Sequence, residues 1–108
     1  LKEQLQRGAS AQYRSTGWSL YPDVHSGDCC LFEPVVDQGL LRQEDIVLCS
    51  VQPGNRFYAH KILKIEYEAP PGNPDRQIRK FTIGNNKGYA NGYCYDHQIY
   101  GRLVEVLT

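Results

Sequence analysis

The stretch from residue 56 to residue 83 most constrains the fold, because it has the pattern of one long antiparallel hairpin. Residues 56–67 and 77–83 are rich in aromatic and β-branched side chains and are typical of strands. Between them lies a loop with three prolines, at positions 70, 71 and 74. Proline cannot donate to a strand ladder, so this loop interrupts the two strands and reverses the chain.

Shorter segments with strand character flank this hairpin. Residues 29–32, 46–51 and 99–107 are apolar runs bounded by turn-forming residues, and Gly101 within the last run indicates a bulge or a close backbone approach. A glycine- and asparagine-rich loop covers residues 84–92. The sequence therefore predicts a mostly β domain with a small barrel-like or folded antiparallel sheet over residues 15–108. Residues 1–14 are predicted as a polar segment or a short helix that ends near Gly8.

Length and charge exclude several classes of protein. The chain has 108 residues, which fits one domain, and its 12 Lys and Arg balance its 12 Asp and Glu. A neutral chain is not typical of a nucleic-acid binder or of a polybasic membrane-surface module. No apolar run approaches the ~20 residues that a membrane span needs. Because the chain begins at Leu1, an anchor or signal preceding it is left open.

The cysteines and histidines do not form a recognisable metal site. Cys29, Cys30, Cys49 and Cys94 include no C-x-x-C pair, and the three histidines lie far apart in sequence. We interpret the cysteines as buried or half-buried free thiols, which favours a reducing compartment and a cytoplasmic location. No metal and no cofactor is predicted.

The segment from Ser15 to Pro22 carries the first chemical signal. Ser19 follows Gly17 in a turn that Pro22 makes rigid, and such a turn can hold a hydroxyl clear of the backbone. Backbone N–H groups around the turn, at Gly17 and Ser19, can be aimed at a developing oxyanion. Alone this signal is weak, because a serine in a glycine turn is usually an ordinary loop residue.

Further short motifs follow in a fixed order, and together they give the chain a resemblance. They are Ser19-Leu20-Tyr21-Pro22, Gly27-Asp28 with the apolar run 29–32, Glu44-Asp45-Ile46-Val47, His60-Lys61-Ile62-Leu63, Gly84-Asn85-Asn86, and the glycine-containing run 99–104. In order and spacing these motifs resemble those of the serine-peptidase superfamily that includes type I signal peptidases and LexA-type self-cleaving repressors. The resemblance covers roughly residues 15–107 and implies the mostly β catalytic domain of that superfamily.

The resemblance implies a serine nucleophile and a basic partner. Carried over by position, Ser19 is the nucleophile and His60 is the general base, as in the histidine-type signal peptidases of the endoplasmic reticulum and archaea. Imidazole titrates near neutrality, so it can accept the serine proton without a large pKa shift. Lys61 is the less favoured alternative base, since neighbours in a strand point to opposite faces and only one of the two can meet Ser19.

Several positions depart from the family pattern. Leu20 replaces a methionine, which conserves volume, and Glu44 replaces a turn glycine. Asn85 replaces an aspartate of the family motif. In the histidine-type relatives, an acidic residue near this motif helps to orient the base. Asn85 itself or Asp96 is the candidate for that orienting role, and Gly17 offers no side-chain donor to an oxyanion.

These observations predict a serine endopeptidase that cleaves an extended segment of another protein. The substrate is expected to add as a β-strand beside the Ser19 turn. The alternative is a peptidase-like module with a decayed site that binds a peptide or partner, and a homodimer is left open. We expect no nucleic-acid partner for this domain. The candidate residues of the substrate cleft are Leu20, Tyr21, Pro22 and Tyr58.

Overall fold

The computed structural model describes residues 2–15, 17, 20, 23–35, 38–69, 71–73 and 75–107. It contains one helix and seven strands together with two short 3₁₀ turns, Gln38–Leu40 and Asp96–Gln98. In chain order the helix and strands are α1 (Lys2–Gln6), β1 (Ala11–Arg14), β2 (Cys29–Pro34), β3 (Ile46–Val51), β4 (Arg56–Glu68), β5 (Ile78–Gly84), β6 (Ala90–Tyr95) and β7 (Ile99–Val106).

All seven strands belong to one antiparallel sheet that curls into a half-barrel. The strand order is β1-β2-β7-β3-β4-β5-β6, so the last strand of the chain lies between β2 and β3. The sheet curls back where Gln52, just after β3, pairs with Tyr93 of β6. The two backbone hydrogen bonds of this pair measure 2.7 and 2.9 Å. The predicted mostly β class, folded sheet and short N-terminal helix are confirmed.

Both faces of the sheet are covered by apolar side chains, which explains why every residue of β3 is buried. The helix-side core includes Leu5 of α1, Leu20, Leu48 and Ala59. The barrel-side core lies within the curl and includes Val47, Ile62, Phe81, Ile83 and Cys94. Alternate residues of β3 and β4 therefore point into different cores.

The predicted long hairpin is present as β4 and β5, which pair from Lys61 with Gly84 to Glu68 with Ile78. Two strands were not predicted. β1 lies in the segment assigned to a polar N-terminus, and β6 begins within the predicted loop 84–92 and continues to Tyr95. Their sequences, AQYR and ANGYCY, carry polar and turn-forming residues, and both strands lie at the ends of the sheet order, where such residues are tolerated.

Gly101 lies beside a β-bulge and at a close approach between chain segments, the two features that a glycine within a strand indicates. Leu48 pairs with Gly101 and Cys49 pairs with Ile99, so Tyr100 is an extra residue in β7 and forms a bulge. A Cβ atom on Gly101 would lie 2.9 Å from Leu5 Cδ1. The glycine therefore lets α1 pack closely on the sheet.

The four cysteines are reduced thiols. Cys30, Cys49 and Cys94 are buried and Cys29 is half-buried, as predicted.

Within the described part of the chain, no helix has the length and apolar character that a membrane crossing requires.

Glu44 adopts a left-handed backbone conformation, with φ of 81°, which glycine adopts without strain. This conformation costs a residue with a Cβ atom about 1 kcal/mol. The Glu44 carboxylate lies 3.3 Å from Lys61 Nζ, but its side chain is 68% exposed, so this ion pair contributes little. We expect Glu44→Gly to raise the thermal unfolding midpoint by about 4 °C.

Glu44→Ala is the matched control, because it removes the same carboxylate and keeps the strained backbone. Its midpoint is expected at or slightly below that of the wild type in a calorimetric scan. Equal midpoints for the glycine and alanine variants would contradict the backbone explanation.

Candidate functional site

The serine segment lies between β1 and β2 in the chain, and backbone hydrogen bonds join the two ends of this connection. Ser15 donates to the Asp28 carbonyl at 2.9 Å, and Gly27 donates to the Ser15 carbonyl at 2.8 Å. Gly17 has a φ of 81°, a conformation that glycine adopts without strain, and its N–H already donates to Ser26 Oγ at 3.2 Å. Ser19, Tyr21 and Pro22 lie outside the described residues.

Leu20 fastens this loop to the helix-side core. Its side chain is only 3% exposed, so it packs inward and does not line an open cleft as the sequence predicted. Its carbonyl accepts hydrogen bonds from the Val24 N–H at 2.9 Å and from Asn86 Nδ2 at 2.7 Å. The residue after Ser19 is thereby held both by packing and by hydrogen bonds.

A polar cluster, which we call the loop anchor, ties the serine segment to β4 and to the loop after β5. Its members are Asp23, Asn86, Lys61 and Glu44. Asn86 Nδ2 donates to Asp23 Oδ2 at 2.8 Å, and Lys61 Nζ lies 3.3 Å from the same oxygen. Lys61 also lies 3.3 Å from Glu44, and its side chain is only 12% exposed. Three motifs distant in sequence therefore meet at this cluster.

His60 lies on β4 next to Lys61, and its ring orientation is set by the backbone. Its Nδ1 contacts the Ala59 carbonyl. A carbonyl can only accept, so Nδ1 carries the proton and Nε2 keeps a free lone pair in the neutral ring. Burial lowers the pKa of His60 below its ordinary value of 6.5; the bond to Ala59 opposes this shift and the Arg56 charge adds to it. The ring is therefore neutral at pH 7.

His60 and Lys61 point to opposite faces of the sheet. His60 pairs with Val47, whose side chain belongs to the barrel-side core, while Lys61 pairs with Ile46 of the helix-side core. Lys61 thus shares a face with Leu20, and His60 does not.

β5 ends at Gly84, opposite Lys61, so Asn85 and Asn86 leave the sheet at the level of His60. The bond from Asn86 to the Leu20 carbonyl joins the serine segment to the loop that follows β5.

The two predicted orienting side chains have other partners. Asn85 Oδ1 accepts from the N–H groups of Lys87 at 2.9 Å and Tyr89 at 3.1 Å, so it stabilises its own turn. Asp96 forms an ion pair with Arg79 at 2.8 Å. Arg79 pairs with Tyr67, which is seven residues along β4 from His60, or roughly 20 Å of strand.

Asp96 is therefore not brought to His60. It lines a separate cavity of about 530 Å³ with Arg76, Gln77, Ile78, Tyr95 and His97.

Tyr58 shares a face of β4 with His60, and the ring centroids of the two residues lie 4.3 Å apart. Its hydroxyl is buried and has no hydrogen-bond partner among the described residues. Burial raises the pKa of this hydroxyl, with the Arg56 charge opposing, so it stays protonated at neutral pH. Tyr58 was predicted as a cleft residue, and the structure makes it a direct neighbour of His60.

Three contributors to this site were missed from the sequence: the Ala59 carbonyl, Asp23 and Asn86. A backbone carbonyl leaves no signal in a residue pattern. Asp23 stands next to the Ser19–Pro22 motif and Asn86 within the Gly-Asn-Asn motif, so their positions alone pointed to the site. Across residues that the structure describes, no group of three or more His, Cys, Asp or Glu side chains could hold a metal ion.

Comparison with known proteins adds no relative to this picture. No protein-family model, no curated protein and no solved structure gives a significant match to the chain.

Proposed function

We propose that this protein is a serine endopeptidase in which Ser19 is the nucleophile and His60 the general base. The loop anchor is the observation that carries the proposal. Asn86 binds both the Leu20 carbonyl and Asp23, and Lys61 binds Asp23, so the segment around Ser19 is fastened to β4 at the residue next to His60, from the other face of the sheet. A nucleophile and its base need such fixed supports, because small displacements slow the reaction strongly.

The protonation of His60 suits the role of base. With Nδ1 bonded to the Ala59 carbonyl, Nε2 is the nitrogen that accepts the Ser19 hydroxyl proton as the oxygen attacks a peptide carbonyl. The imidazolium then returns this proton to the leaving amine, and water releases the acyl group from Ser19 by the same route. The Ala59 carbonyl takes the orienting part that a carboxylate plays in other serine hydrolases.

Lys61 suits a structural part in this proposal. Lys61 Nζ lies between the carboxylates of Asp23 and Glu44, at 3.3 Å from an oxygen of each. These contacts engage the Lys61 side chain on the face of the sheet opposite His60. We therefore assign Lys61 to the loop anchor and keep His60 as the base.

The edge of the sheet supports an extended substrate. In the described part of the chain, β1 pairs with β2 alone and leaves its other edge open. β1 ends at Arg14, five residues before Ser19. A substrate strand added to this edge would run beside the serine loop, which is how strand addition supplies main-chain hydrogen bonds.

A serine-reactive phosphonate probe tests the proposal. We expect the wild type to be labelled at one site, which peptide mass spectrometry identifies as Ser19, and Ser19→Ala to remain unlabelled. Ser10→Ala is the matched control, since Ser10 is exposed and lies outside the loop. Equal labelling of all three proteins, or none of the wild type, would sink the peptidase proposal and favour a binding module.

A further inference from the structure

A column of three side chains connects β6 with His60. Arg56, Tyr58 and His60 alternate along β4 and so project from one face. Arg56 Nη2 donates to the Asn91 carbonyl at 2.9 Å, and the Arg56 Cζ lies 5.7 Å from the centroid of the Tyr58 ring. The Tyr58 ring in turn contacts the His60 ring, at 4.3 Å between centroids and 53° between planes. The contacts are continuous from a backbone carbonyl of β6 to the imidazole.

We propose that Arg56 is a positioning residue for His60 and acts through the ring of Tyr58. This inference rests on the proposed function, because it gives the column a part in the reaction. The imidazole can rotate about its second side-chain torsion, which has only broad energy minima, so a contact on the ring is needed to hold it. The Ala59 carbonyl fixes one ring nitrogen, and the Tyr58 ring restricts the tilt that this single bond leaves free.

Arg56 is suited to hold the tyrosine. Its guanidinium is planar, so it can lie over an aromatic face while it donates from its edge. The bond to Asn91 fixes the guanidinium at its outer end. The Tyr58 hydroxyl has no hydrogen-bond partner among the described residues, so the ring itself, and not the hydroxyl, carries the contact.

Other titratable groups on this face are neutral or more distant. Cys49 is on β3, and its hydrogen bond with Cys94, together with burial, raises its thiol pKa well above the ordinary value. Arg102 of β7 pairs with Val47 and with Glu33 of β2, so it stands two strands away from His60 beside an acidic neighbour. Asp23, Glu44 and Lys61 meet on the opposite face of the sheet. Arg56 is thus the charged residue of the column itself.

A double-variant cycle on the full chain tests the inference. The variants are Arg56→Met, Tyr58→Leu and the combination, and the readout is the nitrogen NMR titration of the His60 ring. Each single variant is expected to weaken the preference for the Nδ1–H form. Arg56→Met also raises the His60 pKa in either background, because it removes a nearby positive charge. If Arg56 acts through Tyr58, Arg56→Met has no further effect on the tautomer preference in the Tyr58→Leu background. Additive effects on that preference, or a preference unchanged by Arg56→Met, would overturn the inference.

Two controls separate this role from general destabilisation. Tyr58→Phe keeps the ring and should titrate as the wild type, and Tyr67→Leu removes an exposed tyrosine from the same strand without effect on His60. The His25 and His97 signals report the rest of the fold in each sample. If Tyr58→Leu does not fold, Arg56→Met alone decides, because Arg56 is exposed and its removal creates no cavity.

Labelling rates separate this inference from the proposed function. We expect Arg56→Met and Tyr58→Leu each to slow phosphonate labelling about tenfold, and Tyr67→Leu to keep the wild-type rate. A wild type that is not labelled refutes the peptidase proposal, while the NMR cycle still decides whether Arg56 positions the ring. Normal labelling by both variants refutes the positioning role alone.

Discussion

His60→Ala is expected to slow the labelling of Ser19 by a phosphonate probe about a thousandfold, because a positioned general base contributes roughly 10²–10⁴ to such a reaction. Lys61→Met should slow it only about tenfold, through loosening of the loop anchor. The two neighbours therefore differ in the size of the effect, and the rates decide which of them takes the proton. A larger loss in Lys61→Met than in His60→Ala would contradict our assignment.

The pH dependence gives a second readout of the same prediction. Burial lowers the pKa of His60, so labelling should be constant above about pH 6.5 and fall as the pH drops through the lower folded value. Above the unfolded pKa this histidine adds nothing to the pH dependence of stability. As the pH falls below that value, the unfolded chain binds the proton more readily, so the free energy of unfolding decreases. In His60→Ala that part of the acid destabilisation should be missing in denaturant titrations.

Gly92→Ala is expected to cost about 3 kcal/mol or more of the free energy of unfolding, which is a large fraction of the stability of a small domain. A Cβ atom at this position would lie 2.0 Å from the Gln52 carbonyl oxygen and 2.8 Å from Val51 Cγ1. Neither atom can move freely, because the Gln52 carbonyl accepts the Tyr93 N–H bond and Val51 is fully buried. The substitution therefore forces apart the pair that curls the sheet.

Gly88→Ala is the matched control for Gly92→Ala. Gly88 also has a conformation that favours glycine, with a φ of 87°, but an added Cβ there meets no atom within 4 Å. We expect it to cost about 1 kcal/mol, from the backbone alone. Urea unfolding followed by circular dichroism measures both. Similar losses for the two variants would show that the contact between β6 and the end of β3 does not limit stability.

The sequence predicted the central strands well because their apolar runs are long and are separated by proline and glycine. β3 and the β4–β5 hairpin have this property, and both are present where the pattern indicated. β1 and β6 have no such pattern, since they lie at the ends of the sheet order and hold turn-forming or polar residues. Both nevertheless pair with the neighbouring strand in the chain, and β6 also meets the distant Gln52, a contact that a local residue pattern does not contain.

The candidate site divides in the same way. Motif order pointed to the neighbourhood of His60, Lys61 and the segment 84–86, and the loop anchor brings Lys61 and Asn86 together beside the serine segment. The sequence did not indicate which atom orients the imidazole. Asn85 and Asp96 were the predicted orienting groups. The Ala59 carbonyl was not considered, because every residue has a main-chain carbonyl and the sequence does not mark the one that is used.

The place of β7 has a consequence for how the chain reaches its native state. This strand follows the other six in the chain, and it lies between β2 and β3, near the middle of the sheet order. Until it is available, the two portions of the sheet are separate and each presents an unpaired edge. Assembly must therefore wait for β7 and close a loop of more than sixty residues, from Pro34 to Ile99, a topology that folds slowly. During synthesis, these exposed edges are where the chain would most need protection from aggregation.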